Sequence, residues 1–253
     1  MRLLRKMTWV ELKLYVREPL TLVFTLALPL ILLVVLGGVF GNTPGQTDEA
    51  TGGTVWRGVG PMDYYVPSYI GLVIAAVCLI GVPVQLASYK ERGVLRRFRA
   101  SSVPVSAVIG SQVLLSVVVA AVGSLLLVAL AWVIYDIHAA KDVPGFILAF
   151  LLVVTAFASL GVMLGALLPT ARAAQGAGVL LWFGMMFLAG AGPPPEVLPG
   201  WMQDVSVVMP LKHATLLLQD VWLGFGWNWT ETAVMVGLVA VSGLVSARFF
   251  RWE

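Results

Sequence analysis

Long apolar stretches, broken by short charged segments, organise this chain. A helix needs roughly 20 apolar residues to cross a bilayer core, and a charge at its centre costs about 2.5–3.5 kcal/mol. Runs poor in Asp, Glu, Lys and Arg therefore mark candidate spans. Six emerge, at 20–40, 64–88, 105–135, 145–168, 173–190 and 229–248. The last is the weakest, because only Thr232–Ala247 is free of charge and Trp227 and Trp229 must anchor its start. The first follows basic residues, as a secretory signal does. It is too long for such a signal, and no small-x-small cleavage site precedes Asn42, so it reads as a retained span.

Composition agrees with that pattern. Only 11% of residues are charged and 59% are apolar, against about 25% charged in soluble domains. A cytosolic enzyme, a nucleic-acid binder and a disordered protein are excluded. The single cysteine, Cys78, leaves no intrachain disulfide and no cysteine-rich metal cluster.

The charges also orient the chain. Arg2, Arg5, Lys6, Lys13 and Arg17 precede the first span, while Lys90, Arg92, Arg96, Arg97 and Arg99 follow the second. Arg172, Arg248 and Arg251 fall on the same side, leaving only Arg57, Lys141 and Lys212 opposite. Positive-inside bias then places both termini in the cytoplasm. The net charge of +3 follows from topology and needs no nucleic acid.

Between the spans, three segments carry pattern. In residues 1–19, Leu3, Met7, Val10 and Leu14 recur at helical steps beside a basic stripe of Arg2, Lys6, Lys13 and Arg17. This predicts an interfacial amphipathic helix, serving as an anchor or also touching a partner, with Pro19 turning the chain into the first span. Residues 89–104 place Val94, Leu95 and Phe98 among arginines, an apolar ridge suited to docking in a protein groove. Gripping anionic lipid is the other reading of those arginines. Residues 193–225 are apolar but broken by Pro199, Asp204, Pro210, Lys212 and Asp220. They predict two short helices, either a re-entrant hairpin dipping into the outer leaflet or a plain amphipathic hairpin outside it.

Taken together, the fold class is all-α integral membrane, with six transmembrane helices, an N-terminal interfacial helix and a short re-entrant helical hairpin before the last span. The chain as a whole, 1–253, reads as one transmembrane domain.

In order and placement, Glu91-Arg92-Gly93, Leu95, Arg97-Phe98-Arg99 and Pro104, then Pro195-Glu196, Leu198-Pro199-x-Trp201 and Pro210-Leu211, resemble the type-2 permeases of ABC exporters. The resemblance is to drug-efflux members typified by the daunorubicin exporter. It implies that Glu91, Arg92, Gly93, Leu95, Arg96, Arg97, Phe98, Arg99 and Pro104 form a coupling segment seated on an ATPase subunit. It also implies a substrate path at a dimer interface, which here points to Val77, Gln85, Phe183, Met186 and Phe187, with ordinary helix packing as the alternative. Pro195, Glu196, Pro199, Trp201 and Pro210 mark the outer hairpin.

The partners implied are two copies of an ABC ATPase, a second permease chain, identical or homologous, and membrane lipid. No Gly-Lys-[Ser/Thr] occurs, so this chain has no P-loop. ATP and Mg would be bound by the ATPase, and no cofactor, metal or catalytic residue is expected here. An excess of Arg over Lys, with abundant Ala, Gly and Val, hints at a bacterium, hence a bacterial cytoplasmic membrane.

Rival classes fit less well. An ion-coupled carrier or channel needs ionisable groups buried in mid-span, and the apolar cores hold none, with His138 and His213 both predicted outside. A membrane enzyme would need partners for Ser111, Ser116, Ser124 or Ser159, and no His lies near them in the predicted topology. Cargo is expected to be a hydrophobic or amphipathic drug or lipid; export of a lipid-linked glycan is the neighbouring reading.

Overall fold

Two prolines shape the helices at the core. Proline offers no N–H, and its ring crowds the carbonyl four residues back. In the computed structural model, which describes residues 2–17, 23–45, 55–101, 104–194 and 197–249, Pro29 and Pro83 each follow a π-helical turn. These turns, Val23–Ala27 and Val77–Gly81, absorb the misfit by widening the helix, so the chain continues instead of breaking.

The helices in chain order are α1 (Arg2–Val16), α2 (Leu28–Phe40), α3 (Pro61–Glu91, containing the second π turn), α4 (Val94–Ala100), α5 (Val105–Tyr135), α6 (Val143–Leu167) and α7 (Ala171–Leu188). Then come α8 (Gly200–Ser206), α9 (Pro210–Leu223) and α10 (Trp229–Phe249). Among the described residues there is no strand. Local signals set several ends. Asp142 accepts from the Gly145 N–H and Thr170 from the Ala173 N–H, capping α6 and α7. Gly224, at φ +80°, closes α9 in the left-handed conformation that glycine adopts without strain.

The fold is built around α3. Its residues 61–80 are all buried, because α2, α5, α6, α7 and α9 pack around it. Close approach is made possible by two glycines. A Cβ at Gly161 of α6 would lie 2.1 Å from the Cys78 carbonyl oxygen, and one at Gly178 of α7 would lie 2.1 Å from that of Leu79. Those carbonyls belong to the π turn, and Pro83 has no N–H to offer them. Helix α10 leans on α6 and α9 at the edge. Outward-facing Leu125, Trp132, Leu180 and Leu244 stay exposed, as a lipid-facing surface requires.

Among the described residues, five helical stretches are long and apolar enough to cross a membrane: Pro61–Glu91, Ser106–Tyr135, Val143–Leu167, Ala171–Leu188 and Trp229–Phe249. Thr25–Phe40 is apolar but shorter, and the start of the predicted first span, 20–22, lies outside the described residues. The weakest span by sequence, 229–248, falls within a continuous helix of 21 residues, Trp229–Phe249. Its Glu231 is buried against His213 of α9, which supplies the partner that a carboxylate there needs. Between α7 and α10 the chain forms the two short helices α8 and α9. Helix α9 is packed among α3, α6, α7 and α10, with Leu211, Leu217, Leu218 and Val221 buried.

Candidate functional site

Where α3 ends, the chain turns at Arg92-Gly93 and runs back as α4. Gly93 sits at φ +66° with open space around it, so glycine serves the turn through its backbone freedom. Helix α4 packs its apolar residues inward. Leu95, only 1% exposed, shares a small core with Val82, Leu86, Tyr89, Val108 and Val162. Phe98 meets the Tyr89 ring edge-on, with centroids 6.0 Å apart. This corrects the expectation of an apolar ridge offered to a partner: burial against the end of α3 is available to Leu95 and Phe98, and they take it. The surface left facing out is charged, formed by Glu91, Arg92, Arg96 and Arg97, with Pro104 exposed nearby. The Arg99 side chain, Ser102 and Val103 lie outside the described residues.

The same end of α3 is hydrogen-bonded to two other elements. Tyr89 donates to Glu11 of α1 across 2.5 Å, and Gln85 donates to the same carboxylate at 2.9 Å. Gln112 of α5 lines the small cavity beside them. Lys90 donates to the carbonyls of Ala166 at 2.7 Å and Leu168 at 3.2 Å, capping the C-terminal end of α6. Tyr15 of α1 is hydrogen-bonded to Thr25 just before α2, at 2.7 Å. Burial pushes the Glu11 carboxyl above its ordinary value, and the hydrogen bonds from Tyr89 and Gln85 hold that rise back.

Helix α1 therefore lies with a polar edge toward the bundle, which the amphipathic pattern alone did not foresee. Glu11 and Tyr15 are buried, whereas Val10 and Leu14 from the predicted apolar stripe are exposed, along with Trp9 and Val16. Lys13 lies over the Trp9 ring at 5.1 Å. That outer face, apolar with flanking cations, is suited to the membrane surface.

The residues expected to line a path are scattered. Val77 and Met186 are packed inside this chain. Gln85 is engaged by Glu11 and Tyr89, which gives it a structural partner in place of a lumen. Phe183 is half-buried, edge-on to Trp182, whose indole donates to the Leu72 carbonyl. Only Phe187 is broadly exposed, on a face of α7 that also carries Leu180 and the open Gly176 and Gly184. Of the hairpin markers, Pro199 and Trp201 are exposed and Pro210 begins α9. Pro195 and Glu196 lie outside the described residues.

The opposite end of the bundle carries polar ties that the sequence reading did not find. Arg57 forms an ion pair with Asp220 of α9 at 2.6 Å and lies over the Phe225 ring at 4.6 Å. Trp56 and Arg57 both hold positive φ, at 52° and 55°, unusual for side-chain-bearing residues. Asn228 donates to Asp220 at 2.8 Å, and Gln219 donates to Ser68 of α3. His213 bridges the Val207 carbonyl and Glu231. Because a carbonyl only accepts, its Nε2 carries a proton, and the proton between Nδ1 and Glu231 binds α9 to α10. At the other end, the missed signal for the α1 tie was an acid, Glu11, in the middle of a basic helix.

A bundle of apolar helices with a basic turn at one end and a short helical hairpin near the other defines a multi-pass membrane protein. Among the described residues there is no cluster of His, Cys, Asp and Glu able to hold a metal. A family model for the ABC-2 type transporter matches residues 2–223, and the chain belongs to that family of permeases. It is 24% identical, over 96% of its length and 84% of the relative's, to the daunorubicin resistance ABC transporter permease protein DrrB1 of Streptomyces coeruleorubidus. It is also 21% identical, over 74% of its length and 52% of the relative's, to the probable multidrug ABC transporter permease YbhR of Escherichia coli K12.

Proposed function

We propose that this chain is the membrane-spanning subunit of an ATP-driven exporter that moves hydrophobic or amphipathic drugs or lipids outward. Residues 89–104 are its contact with a separate ATPase, which binds ATP and Mg. The observation that carries this reading is the junction at the end of α3. A short helix with an arginine-rich outer surface is joined by its inner face to α3, while the adjoining Tyr89 and Lys90 reach α1 and α6. Force applied to Arg92, Arg96 and Arg97 would move three elements together instead of being lost in a loop.

In this reading the basic end is cytoplasmic, both termini lie there, and the region around Thr25–Phe40 completes a set of six spans. The pair α8 and α9 dips into the outer leaflet and returns. Two such chains and two ATPases form the transporter, with the exposed face of α7 around Phe187 directed to the second permease. The name of the Streptomyces relative, a daunorubicin resistance permease, favours an amphipathic drug as cargo.

The test is charge reversal at Arg96 and Arg97 in the full chain co-expressed with its ATPase. Loss of co-purification, with the variant still extracted as a monodisperse membrane protein, is the expected result. Full retention of the ATPase with undiminished drug-stimulated hydrolysis would overturn the assignment.

A further inference from the structure

Beside the outer helical pair, two cavities share a wall. One, of about 150 Å³, is apolar and bounded by Val128, Trp132 and Ile137 together with Ala139 and Trp222. The other, of about 270 Å³, has a mostly apolar lining, again with Ala139 and Trp222, but Asp63, His138, Lys141 and Asn42 also stand in its wall. Trp132 is 65% exposed, so it belongs both to the outward apolar face of α5 and to the cavity wall. The pair thus places a hydrocarbon-like compartment at the end of a membrane helix next to one that carries charged side chains.

Asp63 and Lys141 are the two opposite charges of this second compartment. Asp63 is already engaged: it accepts from the His138 N–H at 2.9 Å, pairs with His138 Nδ1 at 2.9 Å, and has the Asn42 amide at 3.5 Å. Lys141 makes no ion pair among the described residues and is exposed. Its position is nevertheless held. Its backbone N–H donates to the Trp222 carbonyl at 3.0 Å, and its stem lies across Gly224, where a Cβ would come within 2.6 Å of Cδ. The His138 side chain is 83% exposed, with Nδ1 held by Asp63 and the other edge of the ring outward. Trp222, 5% exposed, has an indole N–H without an acceptor at this shared wall.

We propose that the two cavities form one binding site for an anionic amphiphile. The apolar body rests against Trp132, Ile137 and Trp222, and a phosphate-like or carboxylate head meets Lys141. An ammonium supplies the charge-assisted donor that such a head requires, and an aromatic wall at the interface is suited to an acyl chain or ring system. A membrane phospholipid and an amphiphilic cargo share this chemistry. The site needs no ATPase and does not depend on the coupling role of residues 89–104, so the two ideas fail separately.

The test uses the full chain purified in mild detergent and exposed to phosphatidylglycerol or phosphatidylcholine, with bound lipid read by native mass spectrometry. Wild type is expected to retain phosphatidylglycerol by roughly fivefold over phosphatidylcholine, in the range that one partly exposed charge contact supplies. Lys141→Glu abolishes that preference, and Ala139→Trp, which fills the shared wall, lowers retention of both lipids. Addition of anilinonaphthalene sulfonate, a soluble anionic amphiphile, separates the sources. Displacement of the lipid supports a site open to cargo as well, and failure to displace supports a site reserved for lipid. Equal retention of the two lipids by wild type, or retention unchanged in both folded variants, overturns the proposal.

Discussion

The Tyr89 hydroxyl donates to the Glu11 carboxylate across 2.5 Å, joining α1 to the end of α3 over 78 positions of sequence. Tyr89 also supports Phe98 of α4, so one side chain touches both elements at the basic end. Tyr89→Phe keeps the ring contact and removes only the hydroxyl. A buried bond to a charged group contributes about 1.5–3 kcal/mol, so the variant is expected to denature a few degrees lower. Hydrogen exchange in α1 should rise while that in α4 stays near wild type. Unchanged protection in α1 would show that other contacts hold it.

Glu11 also makes stability depend on pH. Its carboxyl is raised by burial, so the folded chain holds that proton more tightly than the unfolded chain. The stability from this difference is fully present below the ordinary carboxylate value of 4.5 and is lost as pH rises through the raised value. Glu11→Gln keeps an acceptor for Tyr89 and removes the titration. Thermal denaturation from pH 4 to 8 should then lose this downward component in the variant. An identical pH profile in both proteins would contradict the assignment.

Gly161→Ala and Gly178→Ala each place a methyl 2.1 Å from a carbonyl oxygen of the π turn, where backbone and not a flexible side chain must give way. Overpacking of this kind costs about 1–3 kcal/mol or more. Both variants are expected to lose monodisperse yield in detergent. Gly237→Ala and Gly243→Ala on α10 meet no atom within 4 Å and serve as controls. Equal behaviour of the two pairs by size-exclusion chromatography would deny the close approach.

Arg57 combines an ion pair with an unfavourable backbone angle, φ 55°. Arg57→Ala loses the pair and keeps the strain, while Arg57→Gly loses the pair and relieves it, a difference of about 1 kcal/mol. The glycine variant should therefore be the more stable of the two, the reverse of the usual order in flexible loops. Hydrogen exchange in α9 gives the readout, and faster exchange in the glycine variant would remove the strain argument.

Much of the architecture was legible along the chain. Apolar runs bounded by charge located the long helices, because a membrane core tolerates few ionised groups and the penalty is local in sequence. Pro210 placed the break before α9 for the same local reason, whereas Lys212 and Asp220, expected to interrupt the segment, lie within the helix. The residues of the junction were visible too, since Glu91, Arg92, Arg96 and Arg97 stand together in one short segment. Their neighbours Leu95 and Phe98 were legible as apolar but not as inward-facing, because a seven-residue helix offers the same pattern to its own bundle and to a partner.

By itself, then, the sequence determined a multi-pass helical membrane protein, the basic turn after its second long apolar run, and the likeness to exporter permeases. Only the tertiary structure decided that α3 is surrounded, that Gln85 and Val77 are inside the chain, and that Glu11 meets Tyr89. It also decided that Arg57 meets Asp220 and His213 meets Glu231. Helix formation and membrane burial follow from the chemistry of consecutive residues, each acting over a few positions. Which polar side chain satisfies another depends on how helices distant in sequence are packed, and here that depends on the paths two glycines open beside a proline-widened turn.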